Sequence, residues 1–413
     1  MAQRFEGAVS RAGDRVGQQG PRGGRRHGQP RPMDISLPAS RGTLIDRRDG
    51  EAVLLLEVGR ERSAAGDLDG AATVLERATK LDPDLFESWI LLGSVRSMQR
   101  EFEEATRVLH EAIERRPGDS RAWFELGRIL EAKGEPEQAA DAYRRALVAD
   151  DGLVEGWNNL GNVHVQLGHH ERAVDCYRRA LALRQDRFEI WLNLGNAHVA
   201  LGRSTEAVEA YDRALALCPD ASDGWYGLAY AHACLGDFDR AIAGYRRAAD
   251  LIPDDYEAWY NLGHAYSDLG HDTASAEAYR RAVERRADDH EAWNNLGNAL
   301  LRVGTRDEAL DCYHRALELK PDYDVSWNNL GNALEELGRL DDATEAYGRA
   351  VELRPRRPTY RINRASVFAR AGRTEDAIED LADALHVAPE IRGLLSGFPE
   401  FAPLLRHPRL RGH

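Results

Sequence analysis

Lysine is nearly missing from this chain: Lys80, Lys133 and Lys320 are the only three among 55 basic residues. Cysteine is scarce too. Cys176, Cys218, Cys234 and Cys312 form no CxxC pair, which excludes a disulfide framework and a zinc-spaced set. Buried free thiols in a reducing compartment are the expectation. No stretch approaches the roughly 18 consecutive apolar residues of a membrane span, and no apolar segment follows the charged N-terminus as a Sec signal peptide requires. A cytoplasmic protein without membrane contact is the expectation. Nucleotide-binding P-loops, GxSxG elbows and HExxH pairs are also missing, so no catalytic residue, cofactor or metal site is assigned.

Acid exceeds base, 69 to 55, for a formal net charge of −14. The charge is uneven. Residues 1–50 carry ten arginines and five acids, +5, so −19 remains on residues 51–413. A field of that sign argues against nucleic-acid binding by the remainder, and by itself it reads as a solubility property. Residues 1–51 form an Arg/Gly/Pro-rich tail whose stretch 17–32 (GQQGPRGGRRHGQPRP) holds too little apolar surface to order itself. Met33 is an alternative start.

Eight tryptophans occur, and each follows the last by 34 residues: Trp89, Trp123, Trp157, Trp191, Trp225, Trp259, Trp293 and Trp327. Other residues keep the phase. Four positions on stands a small residue, as in Gly127, Gly161 and Gly195, with Ala229 the one non-glycine. Eleven on is glycine from Gly134 to Gly338, twenty on is tyrosine from Tyr143 to Tyr347, and twenty-three on is alanine from Ala78 to Ala384. Extending the frame adds a unit at each end. Ten units result: 52–85, 86–119, 120–153, 154–187, 188–221, 222–255, 256–289, 290–323, 324–357 and 358–391. Residues 392–413 remain as a C-terminal capping segment.

Within one unit, Trp157, Leu160, Gly161 and His164 share one face of a helix. Gly168 ends it in a left-handed turn. Ala173, Tyr177, Ala180 and Leu181 line a second helix, and proline often closes the unit, as at Pro117 and Pro219. One such pair cannot bury its apolar face alone, so neighbours must stack. The fold class is all-α, a solenoid of helix-turn-helix repeats.

The 34-residue period with Trp, Leu-Gly, Tyr, Ala and Pro resembles the tetratricopeptide repeat over residues 52–391. That resemblance implies a right-handed superhelix whose first helices line a concave groove for an extended peptide or a partner helix. The WNNLGN segments at 157–162, 293–298 and 327–332, with WLNLGN at 191–196, resemble the superhelical region of O-linked N-acetylglucosaminyltransferases, where an asparagine ladder is associated with holding substrate polypeptides.

The candidate groove residues follow from this register. Two positions after the tryptophan stand Asn159, Asn193, Asn261, Asn295, Asn329 and Asn363; five after it Asn162, Asn196, Asn298 and Asn332; one after it Asn158, Asn294 and Asn328. Asparagine is a mediocre helix former, so its recurrence needs a reason. One reason is a ladder of carboxamides, each with an acceptor and two donors, gripping a peptide backbone. The other is bonding between neighbouring first helices. The ladder breaks where Tyr226, Tyr230 and His264 stand, which reads as a side-chain pocket or as drift. Acids two before the tryptophan (Glu87, Glu155, Glu189, Asp223, Glu257, Glu291) read as helix N-terminal charges or as a rail for basic ligands. Arg128 and Arg302 are the obvious groove cations, too few for a carboxylate clamp. His164, His198 and His232 recur in successive units, too far apart for one metal ion.

The function expected is a non-catalytic scaffold with a protein or peptide partner, a basic one being the charge-matched case; residues 1–50 are an intramolecular candidate. The alternative is the substrate-recognition subunit of a separate enzyme, such as a protein glycosyltransferase.

Overall fold

The structure, a computed structural model, describes residues 47–410. Residues 1–46, with most of the expected tail and Met33, lie outside the described residues, as do 411–413. The first helix, Arg47–Ala64, starts five residues before the expected boundary. The described residues contain helices and turns and no strand. They divide into two compact units, residues 47–231 and residues 232–410.

In both units helices alternate in the expected pairs: Val154–Gln166 with His170–Leu183 in repeat 4, Phe188–Ala200 with Ser204–Leu217 in repeat 5, His290–Val303 with Arg306–Leu319 in repeat 8, and Asp324–Glu336 with Leu340–Leu353 in repeat 9. The turn between partners is made by glycine at positive φ, from Gly66 at 82° to Gly372 at 74°. Repeat 2 has Arg100 in that place, and it takes the same left-handed conformation at φ 65°. The amide three residues past the helix end then bonds back into its last turn. His169 N–H reaches the His164 carbonyl at 2.8 Å, and Arg203 N–H reaches that of His198 at 2.9 Å, closing carbonyls that a helix end leaves open.

How near the two helices approach is decided by the glycine four after the tryptophan. A Cβ added to Gly161 would stand 2.6 Å from the Tyr177 ring; at Gly195 the Tyr211 ring is 2.6 Å away, and at Gly331 the Tyr347 ring is 2.6 Å away. Those tyrosines are buried and held on every side, so no side chain fits opposite them. The tryptophan has a separate task. Each of the eight indole N–H groups donates to the backbone carbonyl six residues upstream, at 2.8–3.0 Å. The bond uses backbone, so repeats with Asp151, Gln185 or Ala287 at that place keep it as those with proline do. It ties the loop between repeats to the helix that follows.

The C-terminal segment lies on repeat 10. Ile391, Leu395, Phe401, Leu405 and Leu410 pack with Ile378, Leu381 and Leu385 of the helix Thr374–Val387. Arg392 holds the segment by donating to the Leu405 carbonyl at 3.1 Å and to that of Leu410. Cys176 and Cys312 are buried, and burial pushes their thiols up to about 12. Cys218 is half-buried and Cys234 exposed, so the expectation of buried thiols fails for those two, which lie at a helix C-cap and a helix end.

Two glycines of repeat 9 should respond with opposite sign to alanine. Gly331→Ala drives a methyl into Tyr347 and should cost about 1–3 kcal/mol. Gly348→Ala lies mid-helix with nothing nearer than 3.6 Å and should gain up to about 1 kcal/mol. Thermal or urea melts of the two variants check both signs.

Candidate functional site

The asparagines five after the tryptophan are held by the tyrosines of their own repeats. Tyr177 donates its hydroxyl to Asn162 Oδ1 at 2.7 Å, Tyr211 to Asn196 at 2.6 Å, Tyr313 to Asn298 at 2.9 Å and Tyr347 to Asn332 at 2.7 Å. Burial raises the pKa of Tyr177 and Tyr347 well above the ordinary range, so each hydroxyl stays protonated as a donor.

The asparagines two after the tryptophan reach back one repeat. Asn193 Nδ2 donates to Asn158 Oδ1 and Asn162 Oδ1, both at 3.2 Å. Asn329 donates to Asn294 at 3.0 Å, and Asn363 to Asn328 at 2.8 Å. Where the earlier repeat has a tyrosine, the hydroxyl serves: Asn295 donates to Tyr260 at 3.2 Å and Asn159 to Tyr143 at 3.4 Å. Asn294 and Asn328 are each 2% exposed and act as acceptors for the next repeat. Asn261 turns onto its own helix, donating to the Glu257 carbonyl at 2.9 Å. The structure therefore joins most of the candidate asparagines into bonds between first helices.

It also leaves particular atoms over. Nδ2 of Asn196, Asn298 and Asn332, all half-buried, has no partner among the described residues, and neither has Oδ1 of Asn193, Asn329 and Asn363. Each of these repeats thus presents a fixed donor, a fixed acceptor or both on one stripe of its first helix.

In repeat 7 the stripe changes. The His264 ring meets Tyr260 at 4.7 Å and Tyr279 at 5.5 Å, both edge-on, and Tyr256 stacks on Tyr260 at 5.5 Å. Tyr279 thereby faces an imidazole edge where other repeats offer a carboxamide oxygen. Burial pushes the His264 imidazole down to about 4, so it is neutral near pH 7. Tyr226 is buried and Tyr230 half-buried in repeat 6.

The other candidate charges are engaged. Glu87 pairs with Arg121, Glu155 with Arg187 and Glu257 with Arg286, at 2.9–3.0 Å. Glu87 thereby holds the next repeat, and Glu155 and Glu257 hold the segment that closes their own. Arg128 pairs with Glu125 at 2.8 Å, and Arg302 with Asp272. His164 and His198 are buried with Nδ1 unpartnered, and burial lowers both imidazoles. No group of three or more His, Cys, Asp or Glu converges for a metal among the described residues, and no described helix is long and apolar enough to cross a membrane.

A histidine whose folded pKa is depressed binds fewer protons than its unfolded counterpart near 6.5. Stability contributed by the neutral ring is full above that value and is lost as pH falls toward the folded pKa, about 4 for His264. His264→Asn should flatten the loss of melting temperature between about pH 6.5 and pH 4. An unchanged slope in differential scanning fluorimetry would show that His264 does not titrate with folding.

Comparison with known proteins agrees with this geometry. No curated protein matches the chain. Similar solved structures include MamA, 26% identical over 39% of this chain and 95% of that one, TM-score 0.39. YrrB, described as a TPR protein with an unusual peptide-binding site, is 22% identical over 45% of this chain and 96% of that one, TM-score 0.42. The C-terminal part of a TPR repeat-containing protein from Cytophaga hutchinsonii is 14% identical over 58% of this chain and 99% of that one, TM-score 0.51, a likeness of fold alone. Tetratricopeptide-repeat family matches cover residues 56–153 and 158–270 in overlapping segments, then 256–289, 288–356 and 328–390. With helix pairs, glycine turns and family matches in one register, the chain belongs to the tetratricopeptide-repeat family, whose members are protein–protein interaction scaffolds.

Proposed function

We propose that the asparagine stripe binds an extended polypeptide through its backbone. The observation that carries this reading is the set of leftover carboxamide atoms. In repeat 5, Asn193 Oδ1 and Asn196 Nδ2 are free; in repeat 9, Asn329 Oδ1 and Asn332 Nδ2 are free. A peptide backbone offers one N–H and one C=O per residue, so an acceptor and a donor on one repeat match it whatever its side chains are. The tyrosine and inter-repeat bonds fix the carboxamides beforehand, which lowers the ordering cost of binding. Selectivity for a basic ligand has weaker support, because three of the six acids two before the tryptophan already pair with arginines.

Replacing these asparagines with alanine would remove structural bonds as well. Aspartate separates the roles: it keeps the oxygen that accepts from tyrosine and replaces the free amide donor. The test is Asn298→Asp with Asn332→Asp, titrated with a fluorescein-labelled, uncharged Gly/Ser/Ala/Thr peptide of about 12 residues, roughly 40 Å when extended. The native chain should bind it, and the double variant should bind about tenfold or more weakly with its helical circular dichroism retained. Equal affinity, or no binding by the native chain up to about 1 mM, would remove the backbone-ladder reading.

A further inference from the structure

A cleft of about 760 Å³ lies away from the asparagine stripe, between the second helices of repeats 4 and 5. Its walls are the helices His170–Leu183 and Ser204–Leu217, and Trp191, Leu194 and His198 of the helix Phe188–Ala200 form its floor. From Glu206 at one end to Leu217 at the other it follows eleven residues of helix, roughly 16 Å. Its volume is in the range of sites that bury a substantial anchor.

The sequence removes charge from this cleft at a place where most other repeats carry it. Twenty-five after the tryptophan stand Glu114, Asp250, Glu284, Glu318 and Glu352 in repeats 2, 6, 7, 8 and 9, but Val148 in repeat 3 and Ala182 and Ala216 in repeats 4 and 5. Both alanines line the cleft, beside Leu217, which is 45% exposed, and the partly exposed Trp191. At the other end His198, 2% exposed, lines the cleft with a neutral ring whose Nδ1 has no partner. Arg178, Glu206, Glu209 and Arg213 stand around the cleft and form no ion pair among the described residues. Nearby charges do pair: Arg179 with Asp151 at 3.1 Å, Arg187 with Glu155 at 3.0 Å, and Arg203 with Glu171.

We propose that this cleft is a second interaction surface, which receives an amphipathic helix of a partner protein. Two helical walls about three turns long, a floor that offers Trp191 and Leu194 and unpaired charges of both signs fit a helix that buries one stripe and carries charges beside it. Trp191 and Leu217 are the anchor contacts, as buried aromatic and aliphatic groups are in other interfaces. Arg178 and Arg213 take acidic flanks, and Glu206 and Glu209 take basic ones. This surface does not rest on the backbone-ladder reading, since it shares no residue with the free carboxamides.

The test uses the full chain and a fluorescently labelled helical peptide of about 14 residues, with leucine at i, i+3, i+4 and i+7 and Lys and Glu elsewhere. A scrambled peptide of the same composition is the control. Ala182→Glu and Ala216→Glu restore the residue that repeats 2, 7, 8 and 9 tolerate, so the fold should persist by melting. The expected result is saturable binding of the patterned peptide, weakened about tenfold or more in these variants and unchanged in Asn298→Asp with Asn332→Asp. Equal binding of the scrambled peptide, equal binding by the glutamate variants, or no saturation by about 1 mM would overturn the proposal.

Discussion

The close approach of six of the helix pairs, those of repeats 3, 4, 5, 7, 8 and 9, rests on one contact, a glycine of the first helix against a buried tyrosine ring of the second. The absent Cβ lets the ring lie where a methyl would stand at 2.6–2.8 Å. Glycine inside a helix normally costs up to about 1 kcal/mol relative to alanine, a cost accepted here in repeat after repeat. The ring so placed directs its hydroxyl at the same first helix, one residue beyond the glycine. Helix spacing, tyrosine burial and the orientation of the carboxamide are therefore one constraint. In repeat 7, Ser275 replaces the usual alanine and adds a bond across the same approach, donating to the Gly263 carbonyl at 2.9 Å.

A second set of bonds joins one repeat to the next. Indole N–H groups hold the connecting loops. Carboxamides bridge first helices at a separation of 35 residues. The Glu87–Arg121 pair adds a contact of the same range. Exposed ion pairs contribute little individually, but the carboxamide bridges are partly buried and would leave unsatisfied polar groups if broken. The two explanations of the asparagines, scaffolding and ligand binding, thus concern different atoms of the same side chain. One end of the carboxamide positions the repeats, and the other end is the one the proposed peptide would meet.

Much of this was legible in the sequence. The phase of eight tryptophans placed every helix pair, and the glycines at the turns take the left-handed conformation expected of them. The role of the tyrosine hydroxyl was not legible, although a signal existed: each repeat with asparagine five after the tryptophan also has tyrosine twenty after it. Only the fold brings those positions, fifteen residues apart, within 2.6–2.9 Å. The acids two before the tryptophan stand in the first turns of their helices, as expected. The arginine partners of Glu87, Glu155 and Glu257 are 29 to 34 residues away, and only the fold brings them together.

The sequence by itself determined the period, the helix–turn–helix unit and the family resemblance. These depend on spacing within one repeat, and spacing is written locally. The tertiary structure decided which end of each asparagine is satisfied, which charges are already paired, and where the second helices of repeats 4 and 5 leave a cleft. Those outcomes depend on how one repeat seats against the next. A hydrogen bond or ion pair has an energy only once its two groups are brought together, and that happens when the repeats stack.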